Sequence, residues 1–435
     1  MQNAGPVRPA TLRLVLVSEQ KPGFRIGKHS GVLLILTATG VAGAASYVVT
    51  WLVPNQIGLA HYALFAVFWS FLYLIVGTLS GIQQEVARGT RPTAEGNRPP
   101  VARVGPFAAV AALVVFLLVL SSAPAWLTGL FPVDGWSLAW PLAVGASSYV
   151  IVAALAGSLY GISRWVPVAM MVGVDALLRL AAVGVTLTLT RDVVALAWAV
   201  VIPFPGTLLL LWFFIRRSIA GRAELDVGYR PLAWNIARTL LAAASTSAMV
   251  SGFPVLLGLT SPGAPRSVIG LLILVITLTR APLIIVAMSL QSYFIVTFRS
   301  HTESFWRTFL RLQFLVLGGG IALAIAGWAI GPRVFAFLFP NQVRLDGSLI
   351  SVLVISSALV AALCISAPAV LARGQHLTYA AGWVNAAVVT VISLALPLEL
   401  TTRTVLALLA GPFSGLVIHG FALILAKGRS AVDAA

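Results

Sequence analysis

Charge is what this chain has least of. Asp, Glu, Lys and Arg make up 9% of its 435 residues, against about 25% in an ordinary soluble domain. With 59% hydrophobic residues and a mean hydropathy of +0.99, it carries more apolar surface than a water-soluble core can hide. The composition predicts an integral membrane protein. Cysteine is nearly absent: Cys364 is the sole one, so no intramolecular disulfide can form. It lies in an apolar run and reads as a small buried side chain. Five histidines without H-x-x-x-H spacing exclude the common zinc motifs. A Walker loop is missing, which excludes ATP hydrolysis by this chain. No Ser-His-Asp arrangement stands out, and only 12 acids are present. Membrane glycosyl- and acyltransferases need acidic or histidine motifs at a membrane face, so the sequence does not read as an enzyme or as one needing a cofactor. Lysine is confined to Lys21, Lys28 and Lys427. The Arg bias, with abundant Ala, Val, Leu and Gly, points to a GC-rich genome.

What the chain does have is long apolar runs. A bilayer core takes about 20 apolar residues per helix. Twelve such runs are present, at 30–53, 61–82, 104–123, 139–162, 167–190, 193–215, 239–260, 267–297, 309–331, 348–371, 377–397 and 404–426. None alternates polar with apolar as barrel strands do, so all twelve are predicted helices. The first is too long for a signal-peptide core and reads as a signal anchor. The largest connections, Gln83–Arg103 and Arg216–Arg238, are too short to form a soluble domain. Helices and short loops must therefore carry the function.

Orientation follows from the Lys/Arg bias. With the N-terminus inside, 21 of the 28 basic residues fall in cytoplasmic segments and 5 outside, leaving Arg179 and Arg280 within helices. This places both termini in the cytoplasm and explains the formal charge of +16. Topogenic arginines face anionic membrane lipids, so the charge calls for no nucleic-acid partner.

The two halves resemble each other at an offset of 208 residues. Pro54 falls on Pro262, Gln83 on Gln291, and "GLFP" (129–132) on "FLFP" (337–340). With two further residues, "VDAL" (174–177) falls on "VNAA" (384–387). The expected architecture is all-α: an N-lobe at 30–215 and a C-lobe at 239–426, two parallel six-helix bundles related by a pseudo-two-fold. They are joined by a cytoplasmic linker at 216–238 and flanked by tails at 1–29 and 427–435. Parallel repeats about the membrane normal are a transporter design in which the lobes rock about a central site. A non-transporting scaffold has no need of ionisable residues in mid-membrane.

The segment between the second and third runs, "QQEVARGTRPTAEGNRPP", lacks the G-x-x-x-D-R-x-G-R-R-like motif of the major facilitator superfamily. The helix order, the "LFP" turns and "GVAGAASYVVTWLVPNQIGLAHYALFAVFWSFLYLIVGTLSGIQQEVAR" instead resemble the multidrug/oligosaccharidyl-lipid/polysaccharide exporter superfamily over essentially the whole chain. The likeness is to its polysaccharide-flippase branch. It implies V-shaped lobes around a central cavity. It also implies flipping of a lipid-linked oligosaccharide, usually on undecaprenyl diphosphate, across the bacterial inner membrane. Glycosyltransferases and a polysaccharide polymerase would be partners. Cation-coupled multidrug exporters of the same superfamily often carry an acid in their first helix, and 30–53 contains none.

A mid-membrane charge costs roughly 2.5–3.5 kcal/mol on the insertion scale, so such residues turn inward and pair. Asp175 and Arg179 lie four residues apart on one helix face. Two readings stand: a structural ion pair, or a proton- or sodium-responsive acid that frees Arg179 for phosphate. Asn385, the repeat equivalent of Asp175, would complete an asymmetric binding site. Arg280 has no acid within four residues and is the leading candidate for substrate contact; the other reading pairs it with Asp175 across the lobes. Pro282 beside it predicts a kink. Glu85, Arg88 and Arg238 sit at the cytoplasmic helix ends, where an inner gate or solvated ends are both expected. Gly157-x-x-x-Gly161 and Gly318–Gly320 predict close helix contacts. Pro254 interrupts the seventh run, and Pro203 and Pro205 the sixth.

Overall fold

The computed structural model describes residues 28–92, 102–132, 135–220, 223–290, 294, 297–298, 304–340, 342 and 344–432. Gln291 of the repeat, most of 291–303 and the outer parts of both tails lie outside the described residues. Thirteen helices are found among those described. They are α1 (Lys28–Gly89), α2 (Val104–Leu130), α3 (Gly135–Gly161), α4 (Trp165–Leu189), α5 (Val193–Val201), α6 (Pro203–Ile219) and α7 (Tyr229–Val250). The remainder are α8 (Phe253–Thr260), α9 (Arg266–Ser289), α10 (Phe305–Leu338), α11 (Gly347–Ala372), α12 (His376–Ala395) and α13 (Leu400–Val432).

Ten helical stretches are long and apolar enough to cross a bilayer. One of them, α1, has 62 residues and is broken at Gly58, where φ is 74° and ψ 164°. At 1.5 Å per residue it is about 93 Å long, some three bilayer cores, and it counts as the first two spans. Only glycine takes that φ without strain, which fixes the turn after Pro54. Another stretch, α5 with α6, is the sixth span; Pro203 opens α6 at a position where its missing N–H costs nothing. The pair α7 and α8, bent by 72°, supplies the seventh. The fold is thus twelve spans in two six-helix lobes.

The repeat is visible in three dimensions. α3 in the N-lobe and α11 in the C-lobe are the most enclosed spans. α3 packs on α1, α2 and α6, and α11 packs on α9, α10 and α13. The "LFP" turns match in backbone detail. Phe131 caps α2 at φ −133°, ψ 70°, and Phe339 caps α10 at φ −134°, ψ 66°. Each cap N–H donates to the carbonyl four residues back, Leu127 and Phe335. Small residues set the helix spacing. A Cβ on Gly157 would lie 2.7 Å from the Gln83 carbonyl, one on Gly161 2.9 Å from that of Ala87. Gly320 likewise abuts Ala358, whereas Gly318 and Gly319 face open space. With lipid as solvent, such close packing holds helices together where a hydrophobic gradient is lacking. The outward faces are apolar: Leu117, Leu189, Leu209, Phe213, Ile325 and Phe337 are all exposed, as surfaces in contact with acyl chains are.

Three details refine the expected layout. α7 starts at Tyr229, ahead of the apolar run at 239, because the segment carrying Arg230 and Arg238 is also helical and buries Leu232 and Ile236. α9 remains one helix through Pro282. The connections at 83–103 and 216–238 meet in a two-stranded antiparallel sheet, β1 (Thr90–Pro92) with β2 (Ala223–Leu225), registering Arg91 opposite Glu224. An Arg91–Asp226 bridge of 2.6 Å fastens it.

Candidate functional site

Two cavities meet at the first two spans. The interlobe cavity, about 340 Å³, lies between α1 and the α7–α9 segment. Its walls include Tyr47, Trp69 and Ser70 from α1, Ser251 and Phe253 from the α7–α8 break, and Arg280 from α9. The N-lobe cavity, about 360 Å³, is lined by Gln83, Tyr149, Tyr160, Asp175, Arg179 and Phe204 among others. Ser46 and Tyr73 border both. Each volume suits part of a drug-sized ligand.

α4 carries Asp175 and Arg179 one turn apart, and they pair, Nη2 to Oδ2 at 2.8 Å. Arg179 has other partners as well. Its Nε donates to the Val200 carbonyl at 3.2 Å, its Nη1 donates to the Tyr73 hydroxyl, and its guanidinium lies 4.9 Å from the Phe204 ring centroid. The carbonyl is available because α5 ends at Val201, just before Pro203. Asp175 remains 22% exposed and lines the N-lobe cavity, so this charged pair is anchored on one side and open to the cavity on the other.

Arg280 is arranged differently. Nη2 donates to the Met249 carbonyl at 3.0 Å, and the Phe253 ring centroid is 5.8 Å away. Nε is buried without a partner. No carboxylate lies within 4.0 Å of Arg280 among the described residues. Asp175 is spent on Arg179, so the alternative pairing of Asp175 with Arg280 across the lobes is not formed. Asn385 is half-buried on α12 and lines neither cavity; its repeat partner does, which makes the two lobes unequal.

At the arginine-rich ends of the spans, Glu85 is buried, with a side chain 2% exposed. It pairs with Arg88 at 3.0 Å and accepts from the Thr239 hydroxyl at 2.6 Å. The second bond crosses the lobes, from α1 to α7. Gly77 abuts Ser247 and Gly81 lies against the Leu240 backbone along the same seam. Arg238 is exposed, and its neighbour Thr239 makes the bond. At the arginine-poor ends the lobes also touch: Gly270 lies against the Leu59 carbonyl, and Trp51 and Asn55 both donate to the Leu338 carbonyl.

Sequence reasoning missed Tyr73, Ser46 and Thr239. The aromatic spacing of "YALFAVFWSFLY" held the signal for the first. Tyr62, Phe65, Trp69 and Tyr73 recur at helical intervals and all line the interlobe cavity, with Trp69 and Tyr73 stacked at 5.5 Å and 13°.

No protein-family model matches the chain. It is 32% identical over 403 residues to the uncharacterized protein Rv1510 of Mycobacterium tuberculosis, covering 91% of this chain and 92% of that one. It is 30% identical over 395 residues to the uncharacterized protein Rv3630 of the same organism, covering 89% and 90%. Among solved structures it superposes on an inward-facing multidrug resistance MATE family transporter of the MOP superfamily with a TM-score of 0.62 at 14% identity, over 92% of this chain and 99% of that one. A MOP superfamily transporter from Pyrococcus furiosus gives 0.58 at 15% identity, over 92% and 96%. The chain belongs to the family of these mycobacterial proteins, and its two-lobed fold is that of the MOP superfamily transporters.

Proposed function

We propose that this protein is an alternating-access transporter that moves a polyprenyl-(di)phosphate-linked oligosaccharide from the inner to the outer leaflet of a bacterial cytoplasmic membrane, for cell-surface polysaccharide. The observation that carries this reading is Arg280: a buried cation without a carboxylate partner among the described residues, bordering a cavity between the lobes. A desolvated guanidinium is a strong site for a phosphate oxygen. The aromatic wall from Tyr62 to Tyr73 offers ring faces, and Ser46, Ser70 and Gln83 offer hydrogen bonds, a combination suited to sugars beside an anion. Rocking of the lobes would part Glu85 from Thr239 at the cytoplasmic end, and Gly270 from Leu59 at the outer end, in turn. With both termini in the cytoplasm, the arginine-rich face meets anionic membrane lipids. Glycosyltransferases and a polymerase would supply and use the cargo.

A second reading, a cation-coupled exporter of small molecules, draws on Asp175, which lines the N-lobe cavity and is partly exposed. Deletion of the gene separates the two. Loss of a surface glycan with unchanged drug tolerance is expected. Changed tolerance with intact glycan would favour the exporter.

A further inference from the structure

The seventh span is broken where Arg280 touches it. α7 ends at Val250 and α8 begins at Phe253, with a 72° bend between them. In an unbroken helix the Met249 carbonyl would accept from the Phe253 N–H, and the Val250 carbonyl would face position 254. Position 254 is proline and has no N–H to offer. Ser251 and Gly252 keep helical amide bonds, to Ser247 and Ala248, and the ladder is interrupted after Gly252, resuming with the Leu256 N–H on the Gly252 carbonyl. A Cβ on Gly252 would lie 2.7 Å from the Ala248 carbonyl, so this bend needs glycine. Arg280, from the neighbouring span, supplies a donor to the Met249 carbonyl at 3.0 Å. A cation at a helix C-terminus satisfies an orphan carbonyl and opposes the helix dipole. The same guanidinium borders the interlobe cavity, beside Ser251 and Thr277, and keeps a buried Nε unpaired.

We propose that the interlobe cavity binds one phosphate-ester group at Arg280, and that this binding draws the guanidinium off the Met249 carbonyl and lets the seventh span straighten. The inference rests on the transport reading for its cargo, but the anion site and its hinge stand or fall separately. Arg280 can serve the Met249 carbonyl or a phosphate; the carbonyl, once released, finds its donor in the Phe253 N–H of a straighter helix. Occupancy of the cavity thereby becomes a change in helix direction between the lobes.

The test places spin labels on the exposed residues Leu241 and Leu259, as L241C and L259C in a C364S background in nanodiscs. The label sites are about 22 Å apart along the axes of a span bent as seen and about 27 Å apart in a straight one. Pulsed dipolar spectroscopy is recorded with farnesyl phosphate, with inorganic phosphate and with farnesol. Farnesyl phosphate should lengthen the distance by about 5 Å and farnesol should not. A response to inorganic phosphate as well assigns the site to the phosphate alone; a response to farnesyl phosphate only assigns it to a lipid headgroup. Arg280→Gln should be long without ligand and unresponsive. Pro254→Ala, which restores the N–H, should also be long without ligand while still binding farnesyl phosphate. An unchanged wild-type distance with farnesyl phosphate bound, or a full response in Arg280→Gln, overturns the proposal. A normal response in a protein that moves no lipid-linked glycan would instead count against the cargo.

Discussion

Glu85 and Thr239 join the two lobes: a carboxylate that ends the second span accepts from a hydroxyl midway along α7, at 2.6 Å. The bond sits in a seam of glycines; in the proposed rocking motion it would act as a polar lock at the arginine-rich end. Thr239→Val would leave a buried acceptor short of a donor, a loss of about 1–3 kcal/mol. Opening toward that end should become correspondingly easier, read as faster maleimide labelling of S70C in the interlobe cavity. An unchanged labelling rate would remove the lock from the account.

The glycine seam makes its own prediction. A Cβ on Gly77 would displace the Ser247 hydroxyl and crowd its Cβ, whereas Gly184 has nothing within 4 Å. Gly77→Ala should destabilise the closed pair by about 1–3 kcal/mol through overpacking, seen as a lower melting temperature in detergent. Gly184→Ala should be neutral or slightly stabilising. Equal melting temperatures for the two variants would contradict this packing.

Asp175 and Arg179 form a pair in which the arginine has other acceptors. Asp175→Asn keeps a hydrogen-bonding group of the same shape and should insert and fold. Asp175→Ala should cost more, about 1.5–3 kcal/mol for a hydrogen bond to a charged group. The double variant with Arg179→Ala should be less damaged than the sum of the singles. Additive losses in melting measurements would show that the two residues do not act as a unit.

The sheet between β1 and β2 is expected to matter little for stability. Arg91 is 75% exposed in its side chain where it bridges Asp226, and such surface pairs contribute at most about 1 kcal/mol. Arg91→Ala should melt within a degree or two of the parent. A large loss would mean that this strap, rather than helix packing, holds the lobes.

How far the sequence foretold this depends on how local each signal was. The spans were legible because a bilayer demands a fixed length of apolar helix, and the "LFP" repeat was legible because both copies keep it, down to the caps at Phe131 and Phe339. Arg179 and Asp175 were found for the same kind of reason: a charge in an apolar run stands out, and i, i+4 spacing names its partner. The partners from afar were hidden. Nothing near Arg179 points to Tyr73 or Val200, and nothing near Glu85 points to Thr239, because those contacts arise only when helices from different parts of the chain pack. Three-residue strands such as β1 and β2 have no periodicity to detect. Pro254 did mark the break in the seventh span; that Arg280 would donate to the Met249 carbonyl beside it was not written in either segment alone.

The measurement that bears most directly on the central claim is reconstituted transport. Proteoliposomes would carry a fluorescent disaccharide on undecaprenyl diphosphate, with outer-leaflet label quenched by a membrane-impermeant reagent. The account predicts movement between leaflets by the wild-type protein and background rates for Arg280→Ala, with both proteins equally inserted. Wild-type rates in Arg280→Ala, or no movement by the wild type while it exports cationic drugs against a proton or sodium gradient, would contradict it.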